Sequence, residues 1–461
     1  MIGKIMDNDI WFILNCGRYV TENGIPHIEP FTIHQGLSYI MQQWMSAVIF
    51  WKIYSFSGEA GLIFLVFVFY VLFVYMTFKV CMLLSENNFP VSFIISIVVS
   101  SLMLPFMVER PHIFLFPIML SEIYLLEKFI HYKNIKYLVS LPILSLLLIN
   151  LEAAIWPILF VIFLPYMIDS FKFKYKFIEG QGYDKKPLIF AALGMLISGF
   201  FNPYGIKAMT YLYTSYGYDE MTYLISELMP ADINTLMGKV IIGTIFLVAF
   251  SMIIYKNGQY RLRYHLLTLG TAYLSLSSIR SFSFFIICGI IPLAYYFKNY
   301  SIPIKLIKND KKTLRIRKIL LMLLVITAIA GIVYQNKMTS DDRQKDLGKA
   351  VDYLEQLNKQ EMVLYSGFND GGYIEFRGLK TYIDPRAEVF LKSNNGKDDI
   401  MKEYEQMHRG KIYYKDVLKK YKFTHLVLSD NDMLYGYLDY DNEYELIYSS
   451  AHYKIYEKVK F

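Results

Sequence analysis

The sequence predicts a polytopic α-helical membrane protein with a C-terminal α/β domain, and three observations predict it. Of the 461 residues, 55% are hydrophobic and 17% aromatic, and the apolar ones gather in separate runs. The run Gly61–Leu84 carries a single charge, Lys79, and about 20 mostly apolar residues suffice to cross a hydrocarbon core of about 30 Å. Beyond residue 335, short helical and strand patterns alternate, as they do in a small α/β domain.

The apolar runs are long and do not alternate as barrel strands would, so helices satisfy the backbone in lipid. Spans are expected near 61–84, 91–108, 112–129, 135–149, 153–169, 187–201, 238–255, 263–279, 282–298 and 318–335, about ten in all. The short runs between 135 and 201 are expected to be tilted, broken or partly re-entrant. Residues 1–60 form an N-terminal loop whose stretch Tyr39–Phe56 reads as an amphipathic surface helix. Residues 61–335 form the transmembrane region and 336–461 the soluble domain.

Charge orients this arrangement. The net charge of +7 lies in short loops between apolar runs rather than on a nucleic-acid-binding face. Ser170–Lys186 holds Lys172, Lys174, Lys176, Lys185 and Lys186 against two acids, and Lys298–Lys318 holds eight bases and one acid, Asp310. Lys256–Arg263 and the turn around Lys128, Lys133 and Lys136 are basic too. Counting spans puts all four on one side, which the positive-inside rule makes the cytoplasm. Asn202–Gly238 carries Asp219, Glu220, Glu227 and Asp232 against Lys207, and lies outside. The same count places residues 1–60 and 336–461 outside a multi-pass plasma-membrane protein. Residues 1–60 contain no leading span, so a further helix is expected upstream of Met1. Cys16, Cys81 and Cys288 are too few and scattered for a disulfide framework or a zinc site.

The N-terminal loop reads Asp7-Asn8-Asp9-Ile10-Trp11-Phe12, then Gly17-Arg18-Tyr19, Asn23-Gly24-Ile25-Pro26 and Glu29-Pro30-Phe31-Thr32, followed by Gln43-Trp44-Met45. Later come Glu109-Arg110-Pro111-His112, Asn150-Leu151-Glu152-Ala153, Asn202-Pro203-Tyr204-Gly205, Ser226-Glu227-Leu228 and Arg280-Ser281-Phe282. In order and spacing these resemble the motifs of bacterial membrane glycosyltransferases of the GT-C fold, relatives of protein mannosyltransferases, arabinosyltransferases and aminoarabinose transferases. Gly371-Gly372-Tyr373 and Asp384-Pro385-Arg386 resemble their C-terminal motifs. Glu152 stands where a His is usual, and Glu29 and Gln43 replace Asp and Glu. The resemblance implies transfer of a sugar from a polyprenyl-phosphate donor to an extracytoplasmic glycan, lipid or protein. It also implies that an Asp of the first outer loop is the base, Asp9 ahead of Asp7.

The residues admit these roles on their own chemistry. A planar guanidinium donates paired hydrogen bonds to phosphate oxygens, which makes Arg280 and Arg110 the donor-phosphate candidates. Glu152, Asn202 and Glu122 are candidates for a polar cavity, because ionisable groups in a membrane line cavities rather than lipid. Asp7 and Asp9 together could ligate a divalent cation. Each has a structural alternative. The two aspartates could cap a helix beginning at Ile10, the arginines could snorkel as anchors, and Glu152 or Glu122 could form structural pairs. A non-catalytic envelope scaffold, or a polymerase or transporter, is the alternative function; inverted repeats that would mark a transporter are not evident.

In the soluble domain, helices are expected at Asp346–Leu357, Asp398–His408 and Lys415–Tyr421. Strands are expected at Met362–Tyr365, Lys380–Ile383, His425–Ser429, Glu445–Tyr448 and Tyr453–Glu457. Gly371-Gly372 is expected to form a turn with positive φ, and Asp384 to pair with Arg386.

Overall fold

The computed structural model describes residues 8–175, 178–215, 225–254, 260–300, 342–357 and 362–459. The chain folds as two compact units: Met1–Leu62, Tyr213–Leu224 and Asn336–Phe461 form the first, and Ile63–Leu212 with Ile225–Gln335 the second.

Helix α1 covers Asp9–Asn23. Asp9 falls in its first turn, where a negative charge complements the helix dipole, and the Asn8 side chain makes no capping bond. Asp7 lies outside the described residues. Helix α2, Trp44–Leu84, is kinked at Gly58, whose φ of 61° and ψ of −153° are open to glycine but strained for other residues. The expected surface helix Tyr39–Phe56 is thus the first part of a longer helix that starts at Trp44.

In the second unit follow α3 (Phe89–Met103), α4 (His112–Tyr132), α5 (Leu141–Leu151) and α6 (Ile158–Asp169). Strands β1 (Phe173–Tyr175) and β2 (Ile178–Gly180) precede α7 (Lys186–Ser198) and α8 (Leu236–Ile254). Strand β3 (Tyr260–Arg261) pairs parallel with β2 ahead of α9 (Leu262–Ser277). Among the described residues, four helical stretches are long and apolar enough to cross a membrane: Trp44–Leu84, Phe89–Phe106, Leu236–Ile254 and Ile279–Tyr296. Ile135–Leu151, Ala153–Asp169 and Lys186–Ser198 are shorter apolar helices. The first of them begins in a 3₁₀ turn before Pro142, and the second in a 3₁₀ turn before Pro157; proline fits the first turn of a helix, so each break restarts one. The expected span 318–335 lies outside the described residues.

The rest of the first unit contains α10 (Asp342–Leu354), β4 (Leu364–Ser366), α11 (Phe368–Phe376), α12 (Ile400–His408) and α13 (Tyr414–Tyr421). Strands β5 (His425–Ser429), β6 (Tyr444–Ser449) and β7 (Tyr453–Lys458) complete a sheet of order β4-β5-β7-β6. β4 runs parallel to β5, and the other neighbours are antiparallel. Leu347, Val351 and Leu354 of α10 pack with Ile374, Val427 and Ile455 over this sheet. Lys380–Ile383 does not form the expected strand; only Thr381 bridges to Leu364.

The Gly371-Gly372 pair also departs from expectation, because both glycines lie inside α11 and neither has positive φ. They are there for close packing. A Cβ at Gly371 would sit 2.0 Å from the Ile383 carbonyl oxygen, and one at Gly372 would sit 3.3 Å from Phe12 Cβ of α1. Gly371→Ala should therefore lower the unfolding temperature of the chain, at a cost of about 1–3 kcal/mol for an overpacked site. An unchanged unfolding temperature would refute the packing role.

Below α11, Asp384 pairs with Arg386 as expected, and Glu29 joins them. Arg386 Nε donates to Asp384 Oδ1 at 2.9 Å and Nη2 to Glu29 Oε1 at 2.8 Å, with all three side chains buried. Glu29 also accepts from the Phe31 and Thr32 amides at 2.7 and 3.0 Å and from the Thr32 hydroxyl at 2.6 Å. The substituted Glu29 thus fastens residues 29–32 to Arg386, within one unit.

Candidate functional site

In the second unit, the quoted motifs meet where helices begin and end. Pro111 leads into α4, so Arg110 and His112 flank the helix start. Glu152 ends α5 in an extended conformation, φ −160°, before the 3₁₀ turn Ala153–Ile155. Arg280 sits in the 3₁₀ turn Ile279–Ser281, which joins α9 to the helix that starts at Phe282. Such breaks expose backbone polar groups and suit polar side chains, whereas the helix interiors on either side are apolar.

Arg280 Nε donates to His112 Nε2 at 3.1 Å. Accepting that bond requires a lone pair on Nε2, so in a neutral ring the proton resides on Nδ1. His112 Nδ1 lies 3.2 Å from Glu152 Oε1, in contact but too poorly aligned for a hydrogen bond. Arginine, imidazole and carboxylate thus form a row, with Glu152 only 3% exposed. Arg110 Nη1 reaches both oxygens of Glu227 at 3.1 and 3.2 Å. Glu227 is held in turn by the Arg280 segment: Ser278 Oγ donates to its carbonyl at 3.1 Å, and the Ile279 amide donates to Met229 O at 3.0 Å. Two guanidiniums and two carboxylates therefore share one group of helix ends, the Arg110–Glu227 pair half-exposed and the Glu152 end buried.

Other candidate residues take separate places. Asn202 spends its side chain on its own turn, donating to Gly199 O and Gly205 O and accepting from the Tyr204 amide. Asn150 ties the end of α5 to Phe201 O at 3.0 Å. Glu122 is fully buried within α4, with neither oxygen hydrogen-bonded among the described residues. It lies ten residues along the helix from His112, about 15 Å at 1.5 Å per residue, outside the cluster. Asp9 is half-buried in the first unit. Among the described residues no group of three or more His, Cys, Asp or Glu side chains is arranged to hold a metal ion, and Asp7 is not among them.

Sequence reasoning quoted His112 and Glu227 within motifs but gave them no role; their partners lie 40 and 117 residues away, beyond any local pattern. It also missed a network at the opposite end of α4. Arg263 Nε and Nη2 grip Glu127 at 2.8 and 3.1 Å, and Nη1 reaches Asp169 at 2.8 Å and Gln181 at 2.6 Å. Its ion-pair partners Glu127 and Asp169 are both buried, so the network ties α4, α6 and α9 together as a clamp.

No protein-family model matches the chain, and no curated protein matches it in sequence. Solved structures do share its fold. The crystal structure of the Archaeoglobus fulgidus oligosaccharyltransferase, tethered to an acceptor peptide containing the NVT sequon, superposes with a TM-score of 0.54 at 12% identity. That match covers 92% of this chain, which spans only 65% of the oligosaccharyltransferase. The apo structure of ArnT from Cupriavidus metallidurans superposes with a TM-score of 0.56 at 10% identity, covering 99% of this chain and 94% of ArnT. Both are glycosyltransferases of the GT-C fold, and the fold of this chain is the GT-C fold.

Proposed function

We propose that this chain is a membrane glycosyltransferase that moves a sugar from a polyprenyl-phosphate donor to an acceptor outside the cytoplasm. The observation that carries the reading is the Arg110–Glu227 and Arg280–His112–Glu152 cluster, gathered at helix ends within a GT-C fold. In this reading the acceptor hydroxyl attacks the anomeric carbon, the bond from that carbon to the phosphate oxygen breaks, and polyprenyl phosphate departs. Arg280 and Arg110 hold the departing phosphate, whose growing charge is stabilised by donors already in place. His112 and Glu152 orient the Arg280 guanidinium. The polyprenyl tail lies among the apolar helices. Asp9 takes the acceptor proton, Asp7 being the alternative base; a divalent cation that Asp7 and Asp9 would hold is tested by transfer before and after chelation. The acidic Asn202–Gly238 segment, read against the lysine-rich loops, supports an outward-facing site.

The test is transfer of label from a radiolabelled polyprenyl-phosphate hexose into envelope glycan by membranes of the source strain. Asp9→Asn should reduce the rate about 10²–10⁴-fold, the usual contribution of a positioned base. Wild-type transfer by Asp9→Asn would remove Asp9 from the chemistry. Wild-type membranes that transfer no more label than those of a deletion strain would leave a non-catalytic scaffold as the better account.

A further inference from the structure

The first unit contains a cavity of about 460 Å³ that the proposed transfer does not use. Its lining includes Trp11 of α1, Asp370 and Tyr373 of α11, Tyr404 and His408 of α12, and Asp432 after β5. The two carboxylates flank one glycine: a Cβ at Gly367 would lie 3.4 Å from Asp370 Oδ2 and 3.7 Å from Asp432 Oδ2. Both aspartates are buried. Asp370 Oδ1 accepts from the Tyr453 hydroxyl at 2.8 Å. Asp432 accepts from the Leu434 amide at 2.9 Å and from the Tyr365 hydroxyl at 3.3 Å. The nearby cation Arg343 pairs instead with Asp430 at 2.7 Å.

Burial pushes the Asp370 carboxyl up to about 6 and that of Asp432 up to about 7. Near neutral pH Asp432 can therefore donate as well as accept hydrogen bonds, while Asp370 is mainly an acceptor. An independent observation concerns Trp11, which is 7% exposed yet has an indole N–H with no hydrogen-bond partner among the described residues. A buried donor left unmade is costly, and an acceptor on a ligand in the cavity that Trp11 lines would satisfy it. His408 Nδ1 is likewise unpartnered among the described residues.

Aromatic faces, an indole donor and two carboxyl groups around one space match the chemistry of a sugar ring. Its C–H face packs on aromatic rings, and its hydroxyls donate to carboxylates and accept from N–H groups. The volume also falls within the range of small-molecule sites. We propose that this cavity binds one sugar residue of a glycan. That the glycan is the acceptor rests on the transferase reading; sugar binding itself does not.

The test uses the full-length protein in nanodiscs, free of sugar-based detergent, with methyl glycosides of glucose, galactose, mannose and N-acetylglucosamine at millimolar concentration. Saturation-transfer NMR should show at least one glycoside binding. Trp11→Phe, which keeps a ring but removes the N–H, and Asp370→Asn should each weaken that binding about tenfold, the value of one hydrogen bond to a charged or buried partner. On the unaltered chain, saturating glycoside should slow carbodiimide coupling to Asp370 and Asp432, read by peptide mass spectrometry. The proposal is overturned if no glycoside binds, if a simple amine such as putrescine binds in their place, or if coupling is unaffected by a bound glycoside. Binding is read without donor or transfer, so its failure leaves the transferase reading standing, and lost transfer in an Arg280 variant leaves this site untouched.

Discussion

Arg280→Ala should reduce sugar transfer about 10²–10³-fold, the usual effect of removing one preorganised donor from a developing anion. Two features of the site set this size. Arg280 is held by His112 at 3.1 Å, and His112 stands 3.2 Å from Glu152, so the guanidinium is oriented before any phosphate arrives. It also sits on the turn that fixes Glu227, the partner of Arg110, so both cations depend on one short segment. Arg280→Lys separates charge from geometry. A lysine keeps the positive charge but not the planar fork, so it should recover only a small part of the lost rate. His112→Gln should fall between the two, since it loosens the arginine without removing it. The measurement is transfer from labelled polyprenyl-phosphate hexose in membranes holding equal amounts of each variant. Arg263→Gln is the contrasting control: its arginine is locked to Glu127, Asp169 and Gln181 at the far end of α4, and the change should lower the amount of folded protein. Arg280→Ala protein that is present at wild-type level and fully active would sink the phosphate-binding role.

The fold was legible where a pattern is local. Strand β5 falls on the expected residues, and β6 and β7 lie within a residue of theirs, because short apolar or aromatic runs bounded by turn residues declare a strand. Apolar runs announced the helices, but not how prolines at 142 and 157 would divide the runs between 135 and 169 into short pieces. Gly371-Gly372 was misread because a glycine pair fits a turn or a close helix contact equally well, and only the Ile383 carbonyl 2.0 Å from a would-be Cβ decides it. Arg110, Glu152 and Arg280 stood out as charges beside apolar runs. Their mutual arrangement did not, since it is made by residues far apart in sequence. Trp11 stood within a quoted motif but received no role: a tryptophan near an interface is commonplace, and its unpartnered N–H exists only in three dimensions.

Arg386→Met should destabilise the first unit by about 3–5 kcal/mol, the cost of breaking a buried ion pair from one side. Arg386 is 2% exposed and faces three carboxylates: Asp384, Glu29 at 2.8 Å and Glu375 at 3.5 Å. One guanidinium cannot neutralise three ionised neighbours. The cluster balances because burial, reinforced by Asp384, pushes Glu375 well above the usual carboxylate range and favours its neutral form. Burial also opposes ionisation of Glu29, but Arg386 and the Thr32 hydrogen bonds outweigh it and hold that carboxyl below its ordinary value. Removing the cation strands two buried negative charges whose only remaining support is local hydrogen bonding. The guanidinium also lies over the Phe31 and Tyr39 rings at 4.8 and 5.1 Å, so the N-terminal segment loses contacts on both sides. A chain of two units need not unfold in one step, so the effect is best read locally, by hydrogen exchange of peptides covering residues 29–39 and 368–390. Protection there should fall together in Arg386→Met. Adding Glu29→Gln and Asp384→Asn should return part of it, because neutral amides no longer need the cation. Protection unchanged in the single variant would mean that the ion cluster does not hold these segments together.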